Sequence, residues 1–521
     1  MRLIHAVGAI AIVLVLAFAS GCGGGDSSAS GDGDGGSTSG TTTVSDGGNS
    51  GDAAYPGVDL ANSRHAEGEI DRSNVSTLKE AWSLPLSAQS SYGAISATPA
   101  IADGVAYIQD LESNVQAVDV ESGKVLWTKN YNEPDQGPNG VVVGGDAVFG
   151  ATPTKAFALD RESGEELWSV RLADGENEAM DMAPGYHEGL VYVSTVPTNV
   201  RSEYPAGGVG TLWALDAGSG EKAWHFDTVP KSLWGNEKLN AGGGLWYPPS
   251  FDDEGGMYFG VGNPVPFPGE GNEPWGSSRP GPNLYTDSIV KLDAKTGKLD
   301  WYYQQTPHDV YDWDFQNPPI LTSVGGKELA IGSGKSGFVV AVDAATGKPV
   351  WKTPVGKHNG HDEDGLLAMR GEAEKIKKGV VYPGLLGGVI SPPASNETTL
   401  FVPVVNHPLT VESGTELGEG PEATGELVAL DIASGKVEWK QPVSLPMYGS
   451  PIAVNDMVFV AGPDGTLLGL DAKSGGEVWA ASLPAGSNTG LALTGDTLLA
   501  PAGLPAAEGQ KPALAAFRLG G

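Results

Sequence analysis

Seven times along this chain an aspartate is followed eight residues later by a tryptophan, with a Ser/Thr-Gly pair between them. The instances are Asp119 to Trp127, Asp160 to Trp168, Asp216 to Trp224, Asp293 to Trp301, Asp343 to Trp351, Asp431 to Trp439 and Asp471 to Trp479. Alternating residues before each aspartate, such as Val115, Ala117 and Asp119, mark a half-buried strand. The aspartate can accept backbone N–H bonds across a tight turn, and the glycine supplies the positive φ that the turn needs. The next strand then delivers a large apolar plate able to pack between sheets. One such sheet cannot bury both faces, so the units must stack around a ring. The tryptophans recur 40 to 88 residues apart, which suits four-stranded blades, some with inserted loops. A sandwich would have no use for seven equal spacings.

The ends supply an eighth unit. Ala513–Leu519 approaches the motif but stops before any tryptophan, and Lys79-Glu80-Ala81-Trp82 is a tryptophan strand without a preceding turn. Paired, they complete an all-β, eight-bladed propeller closed by its N- and C-terminal strands, without exposed sheet edges. The 77 glycines, 37 prolines and 18% charged residues agree with many short strands and turns rather than long helices.

The expected layout is residues 1–21 as a lipoprotein signal peptide, 22–54 as a flexible tether and 55–521 as the propeller. Arg2 precedes an apolar run from Ala6 to Ala19, shorter than the ~20 residues of a spanning helix. Ala19-Ser20-Gly21-Cys22 resembles a bacterial lipobox, with alanine where leucine is usual, which makes Cys22 the expected lipidation site. It is the only cysteine, so no disulfide forms within the chain. The Gly, Ser, Asp and Thr of the next thirty or so residues cannot bury apolar surface. These features predict an exported protein anchored to a membrane by lipid alone, facing the periplasm or the cell exterior. A formal charge of −33, spread along the chain, excludes nucleic acid as a favourable partner.

The repeat, together with the segment from Asn62 to Trp82 containing Arg64, Ile70, Asn74-Val75 and Leu78, resembles the quinoprotein alcohol dehydrogenase-like propellers. More specific are Trp246-Tyr247-Pro248-Pro249, Gly260-Val261-Gly262-Asn263-Pro264, Gly281-Pro282-Asn283-Leu284-Tyr285-Thr286 and Pro307-His308-Asp309-Val310-Tyr311-Asp312-Trp313-Asp314. That resemblance implies pyrroloquinoline quinone as cofactor, with Trp246 stacked beneath it and Lys335 over its carbonyls. It implies Asn263, Asp312, Asp314 and Glu203 as ligands of Ca2+ or a lanthanide, and Asp312 also as the catalytic base. The residue types suit the chemistry: oxygen donors for a hard cation, an aromatic plate for a planar quinone and a carboxylate for a substrate proton. The substrate would be a small alcohol or sugar. Electrons would pass to a separate acceptor such as a cytochrome, because no Cys-x-x-Cys-His for an attached haem is present.

The departures are equally specific. Ser96 stands where the family commonly has glutamate, Asn139 near the place of a cofactor-contacting arginine, and Gly387-Gly388-Val389-Ile390-Ser391 replaces Gly-Gly-Lys-Asn-Trp. One half of the implied site is kept and the other is changed. The alternative function is therefore a non-catalytic propeller acting as an envelope binding or assembly scaffold. The run His358, His361, Asp362, Glu363 and Asp364 matches no closed metal site and is expected to be a solvated insertion.

Overall fold

The computed structural model describes residues 55–90, 92–198, 204–443, 445–505 and 509–520. Cys22, the expected signal and tether, and Glu203 lie outside the described residues. Among those described, strands form eight four-stranded antiparallel sheets. In seven the strands follow one another in chain order, three of them with short strands of other sheets inserted between the second and third. The first of these runs Ala100–Ala102, Val105–Gln109, Val115–Asp119 and Val125–Lys129. In the remaining sheet Leu78–Pro85 pairs with Ala513–Leu519, which continues to Thr497–Ala502 and Ala492–Thr494. The two ends of the propeller sequence therefore meet in one sheet. The fold is all-β and propeller-like.

The repeat does in the structure what its residue types suggest. Asp119 Oδ1 accepts the Ser122 N–H (2.8 Å), and the Gly123 N–H donates to the Asp119 carbonyl (2.8 Å). Gly123 sits at φ 70°, and a Cβ there would lie 2.5 Å from the Trp82 ring. Glycine is thus required twice over, by the turn and by the indole laid against it. The same contact joins Trp127 to Gly164, Trp168 to Gly220, Trp224 to Gly297, Trp301 to Gly347, Trp351 to Gly435 and Trp439 to Gly475. Each indole N–H also donates to a carbonyl of the following sheet, from Trp82 to Val120 (2.9 Å) round to Trp479 to Leu78 (3.3 Å). The core lies between adjacent sheets; one apolar cluster, for example, joins Ile101, Ile108 and Val118 to Leu499, Leu514 and Ala516.

The segment containing Asn62 and Arg64 ties distant sheets together. Arg64, 3% exposed, donates to the carbonyls of Pro56 (3.0 Å), Pro451 (2.9 Å) and Leu491 (3.2 Å). Asn62 donates to Ser250 Oγ (2.9 Å). The Asp–Gly turns join third and fourth strands. The opposite edge of every sheet carries the links between second and third strands and those leading into the next sheet. Trp246, Asn263, Asp312, Asp314 and Lys335 all lie on that opposite edge.

Three further short sheets lie among the described residues, including Gly379–Val381 with Leu409–Ser413 and Glu416–Glu419, and a short helix spans Asp364–Met369. The expected solvated run from His358 to Asp364 is corrected here. His361 and Asp364 are buried, and Asp364 Oδ2 is shared by His361 Nδ1 (2.6 Å) and the Tyr311 hydroxyl (2.6 Å). A carboxylate with two such partners can enter the core because its charge is met by donors. No helix among the described residues is long and apolar enough to cross a membrane.

Candidate active site

Four loops converge at the edge of the sheets opposite the Asp–Gly turns. Trp246 precedes Ser250–Phe251, Asn263 follows Gly256–Gly260, Asp312 and Asp314 lead into Ile320–Val324, and Lys335 follows Lys327–Ser333. The loop holding the two aspartates is organised by Asp309, whose Oδ1 accepts the Tyr311 N–H (2.9 Å) and Oδ2 the Trp313 N–H (2.7 Å). Arg279, fully buried, donates to the Asp309 carbonyl (2.5 Å) and the Pro266 carbonyl (2.9 Å), pinning this loop to the Val265–Arg279 insertion. Tyr311 and Trp313 fill the space beneath. As a result Asp312, held at φ 61°, and Asp314 turn their carboxyls toward one point.

That point is the Lys335 ammonium. Its Nζ lies 2.8 Å from Asp312 Oδ2 and 2.5 Å from Asp314 Oδ2. The other oxygen of Asp314 accepts the backbone N–H of Asn263 (2.7 Å). Asn263 turns its amide NH2 to the Pro264 carbonyl (3.2 Å). Gly262 makes the approach possible, since a Cβ there would lie 2.9 Å from Asp314 Oδ1 and 3.2 Å from the Trp246 indole nitrogen. Trp246, Asn263, Asp312, Asp314 and Lys335 are therefore brought together. Glu203 lies outside the described residues, but its neighbour Tyr204 is close enough to feel Asp312, Lys335 and Asp314.

Burial dominates the electrostatics. It lifts the Asp312 carboxyl well above its usual range, with Lys335 pulling it down and Asp314 pushing it further up. Burial works against the Lys335 charge, yet Asp312 and Asp314 outweigh it and hold the ammonium well above its usual pKa. The Tyr247 hydroxyl is pushed up to about 12, mainly by burial. Beside this group Asp287 is fully buried with both carboxyl oxygens unpartnered, and burial followed by the Asp309 charge raises it strongly.

The changed segments touch the kept ones. The Val389 N–H donates to the Gly334 carbonyl (3.0 Å), and a Cβ on Gly388 would fall 2.1 Å from the Lys335 carbonyl oxygen. The Ile390 carbonyl accepts from Gln316 Nε2 (2.8 Å). Ser96 and Asn139 line a cavity at the centre of the sheets, with Asn62, Arg64, Tyr247 and Ser391. Sequence reasoning missed Asp287, Arg279 and the organising role of Asp309. Only the neighbourhood of Asp309 to the Asp312–Asp314 pair could have signalled any of them.

The sequence profile described as glucose/ethanol/alcohol dehydrogenase, beta-propeller domain, matches residues 54–142 and 181–358. This chain belongs to that family. Asn263, Asp312, Asp314 and Lys335 all fall inside the second matched stretch. A second profile, that of the outer membrane protein assembly factor BamB, matches 111–238 and 384–511. The chain is 29% identical over 479 residues to the quinoprotein alcohol dehydrogenase PedH of Pseudomonas putida, covering 79% of this chain and 78% of that protein. It is 27% identical over 519 residues to the lanthanide-dependent methanol dehydrogenase of Methylorubrum extorquens, covering 82% of each. The solved quinohemoprotein alcohol dehydrogenase of Comamonas testosteroni shares the fold, with a TM-score of 0.77 over 90% of this chain and 81% of that one at 24% identity.

The residues present fit the groups this family implies. Two carboxylates and an amide form an all-oxygen donor set for a hard cation. They are not a ready-made cage, since no cluster of three His, Cys, Asp or Glu gathers among the described residues. Trp246 is only half-buried, which leaves an indole face for a planar ring.

Proposed function

We propose that this protein is a dehydrogenase dependent on pyrroloquinoline quinone and a metal ion, oxidising a small alcohol or sugar hydroxyl. The observation that carries the proposal is the Asp312–Lys335–Asp314 cluster with Asn263 on its flank, inside the segment matched to the family. The orthoquinone would supply a hydride acceptor and the cation Lewis acidity when bound. Asn263, Asp312, Asp314 and Glu203 would hold the cation, either Ca2+ or a lanthanide, and Trp246 would support the quinone. Asp312 takes the substrate hydroxyl proton as hydride leaves the adjacent carbon. Lys335 orients that carboxyl and works against the burial that raises its pKa.

Metal-free protein titrated with the quinone plus calcium or lanthanum should bind both and then reduce an artificial dye on addition of short alcohols. Absence of quinone binding with either metal would overturn the proposal. The scaffold alternative is favoured by the assembly-factor match and the altered Ser96, Asn139 and Ile390. It predicts no quinone binding in the same titration.

We infer further that the eight sheets are eight blades of one ring closed through the Leu78–Pro85 and Ala513–Leu519 pairing, and that a separate acceptor such as a cytochrome takes the electrons. Cys22 would carry the lipid that holds the protein at the cell envelope. Cys22→Ser should release it from the membrane fraction.

A further inference from the structure

The arc in which this chain departs from its family carries a polar cluster of its own. Asp135 and Asp181 lie on the loops leading into Val141–Gly144 and Gly185–His187, and are 3% and 4% exposed. Their carboxyls interact directly. Burial is the main reason that Asp135 is pushed up to about 6, and burial and then the Asp135 charge raise Asp181 further. The largest influences on either carboxyl include no lysine, arginine or histidine.

The surroundings offer oxygen. Asp135 Oδ1 accepts the Gly137 N–H (3.0 Å), while Oδ2 has no partner. Asn139, 3% exposed, hydrogen-bonds to Asp135 through its side chain and donates an amide N–H to the Asp110 carbonyl (2.8 Å), while its Oδ1 is unpartnered. Ser96 Oγ is the third buried atom without a partner. Gly137, at φ 69°, lets the loop close on that serine, because a Cβ would fall 2.1 Å from Ser96 Oγ. Buried acceptors in this number, two of them carboxyls, must be met by a proton or by a counter-charge.

We propose that Asp135, Asp181, Asn139 Oδ1 and Ser96 Oγ form a binding site for a hard divalent cation. Mixed carboxylate, amide and hydroxyl donors on loops suit calcium, which accepts irregular oxygen shells completed by water, better than magnesium. The site stands apart from the Asp312–Asp314 donors. Its consequence for the cofactor rests on the dehydrogenase proposal: the ion restores positive charge where Asn139 replaces the family's cofactor-contacting arginine.

The test is calorimetric titration of the full chain, stripped with chelator, using calcium alone. Wild type should bind two equivalents. The double variant D135N/D181N should bind one and lose part of the calcium-induced rise in Tm. D312N/D314N should lose the other equivalent instead. D181N alone should weaken one site at least tenfold, and serves if the double variant does not fold. Unchanged stoichiometry in D135N/D181N overturns the site. So does a gain in Tm for that variant that is equal with and without calcium, which would mean the pair holds only a shared proton. A single wild-type equivalent abolished by D312N/D314N sinks this site but spares the dehydrogenase proposal. A single equivalent abolished by D135N/D181N supports this site and removes the metal from the dehydrogenase one.

Discussion

The arc from Trp246 to Lys335 and the arc from Ser96 to Asp181 occupy the same edge of the same kind of sheet, yet handle buried charge in opposite ways. In the first, two carboxyls share a lysine, and Asp314 also accepts the Asn263 backbone N–H. In the second, two carboxyls face one another with no cation of the protein's own and with unpartnered oxygens around them. The Asp312–Lys335–Asp314 cluster carries its own counter-charge within the chain, although Asp287 beside it keeps both carboxyl oxygens unpartnered. The second is stable only with something added, a proton or an ion. Scaffold and site are thus decoupled, because identical tryptophan turns support both arcs.

The largest expected effect separates the arcs by chemistry. Asp312→Asn removes the base while keeping the shape, and turnover in the reconstituted dye assay should fall roughly 100- to 10,000-fold. A loss below tenfold would move the base elsewhere. Next, Lys335→Met strands Asp312 and Asp314 in the core. The metal-free protein should lose about 3–5 kcal/mol by chemical denaturation, and added calcium should return part of it. A loss under about 1 kcal/mol would mean that this arc is no better paired than the other.

A third pair of variants tests the shared scaffold. Trp301→Phe in the first arc and Trp127→Phe in the second each remove one indole N–H bond, to Ala344 (3.1 Å) and Arg161 (3.0 Å) respectively. Each should cost about 1 kcal/mol, and markedly unequal costs would refute the decoupling.

The smallest effect concerns His358, which braces the loop after Lys335. Its Nδ1 meets Asp362 Oδ1 (2.7 Å) and its Nε2 the Gly337 and Val355 carbonyls (3.2 and 3.1 Å), an arrangement that needs both ring protons. Burial opposes that charge, but the Asp362 contact and the two carbonyls win and raise the pKa. A raised histidine pKa stabilises fully below the unfolded value of about 6.5 and less as pH climbs through the folded value. The stability gap between wild type and His358→Gln should therefore be widest in mild acid and close as pH rises. A gap independent of pH would mean the ring braces the loop while neutral.

Periodicity made the strands, turns and stacked sheets legible, because an Asp, a Gly and a Trp at set spacing each have one local job. The resemblance carried by Trp246, Asn263, Asp312 and Lys335 named the retained arc for the same reason: short motifs hold side chains of fixed chemistry. By itself, then, the sequence determined the repeat, the all-β class and the types of donor. Tertiary structure alone decided that Lys335 lies between Asp312 and Asp314, that Asp364 is buried between Tyr311 and His361, and that Asp135 meets Asp181. Apart from His361 and Asp364, which are three residues apart, those pairs are separated by 21 to 53 residues, and which charges meet depends on how the loops fold over the sheet edge. Burial then sets what each meeting is worth, and no local pattern encodes burial for a loop aspartate.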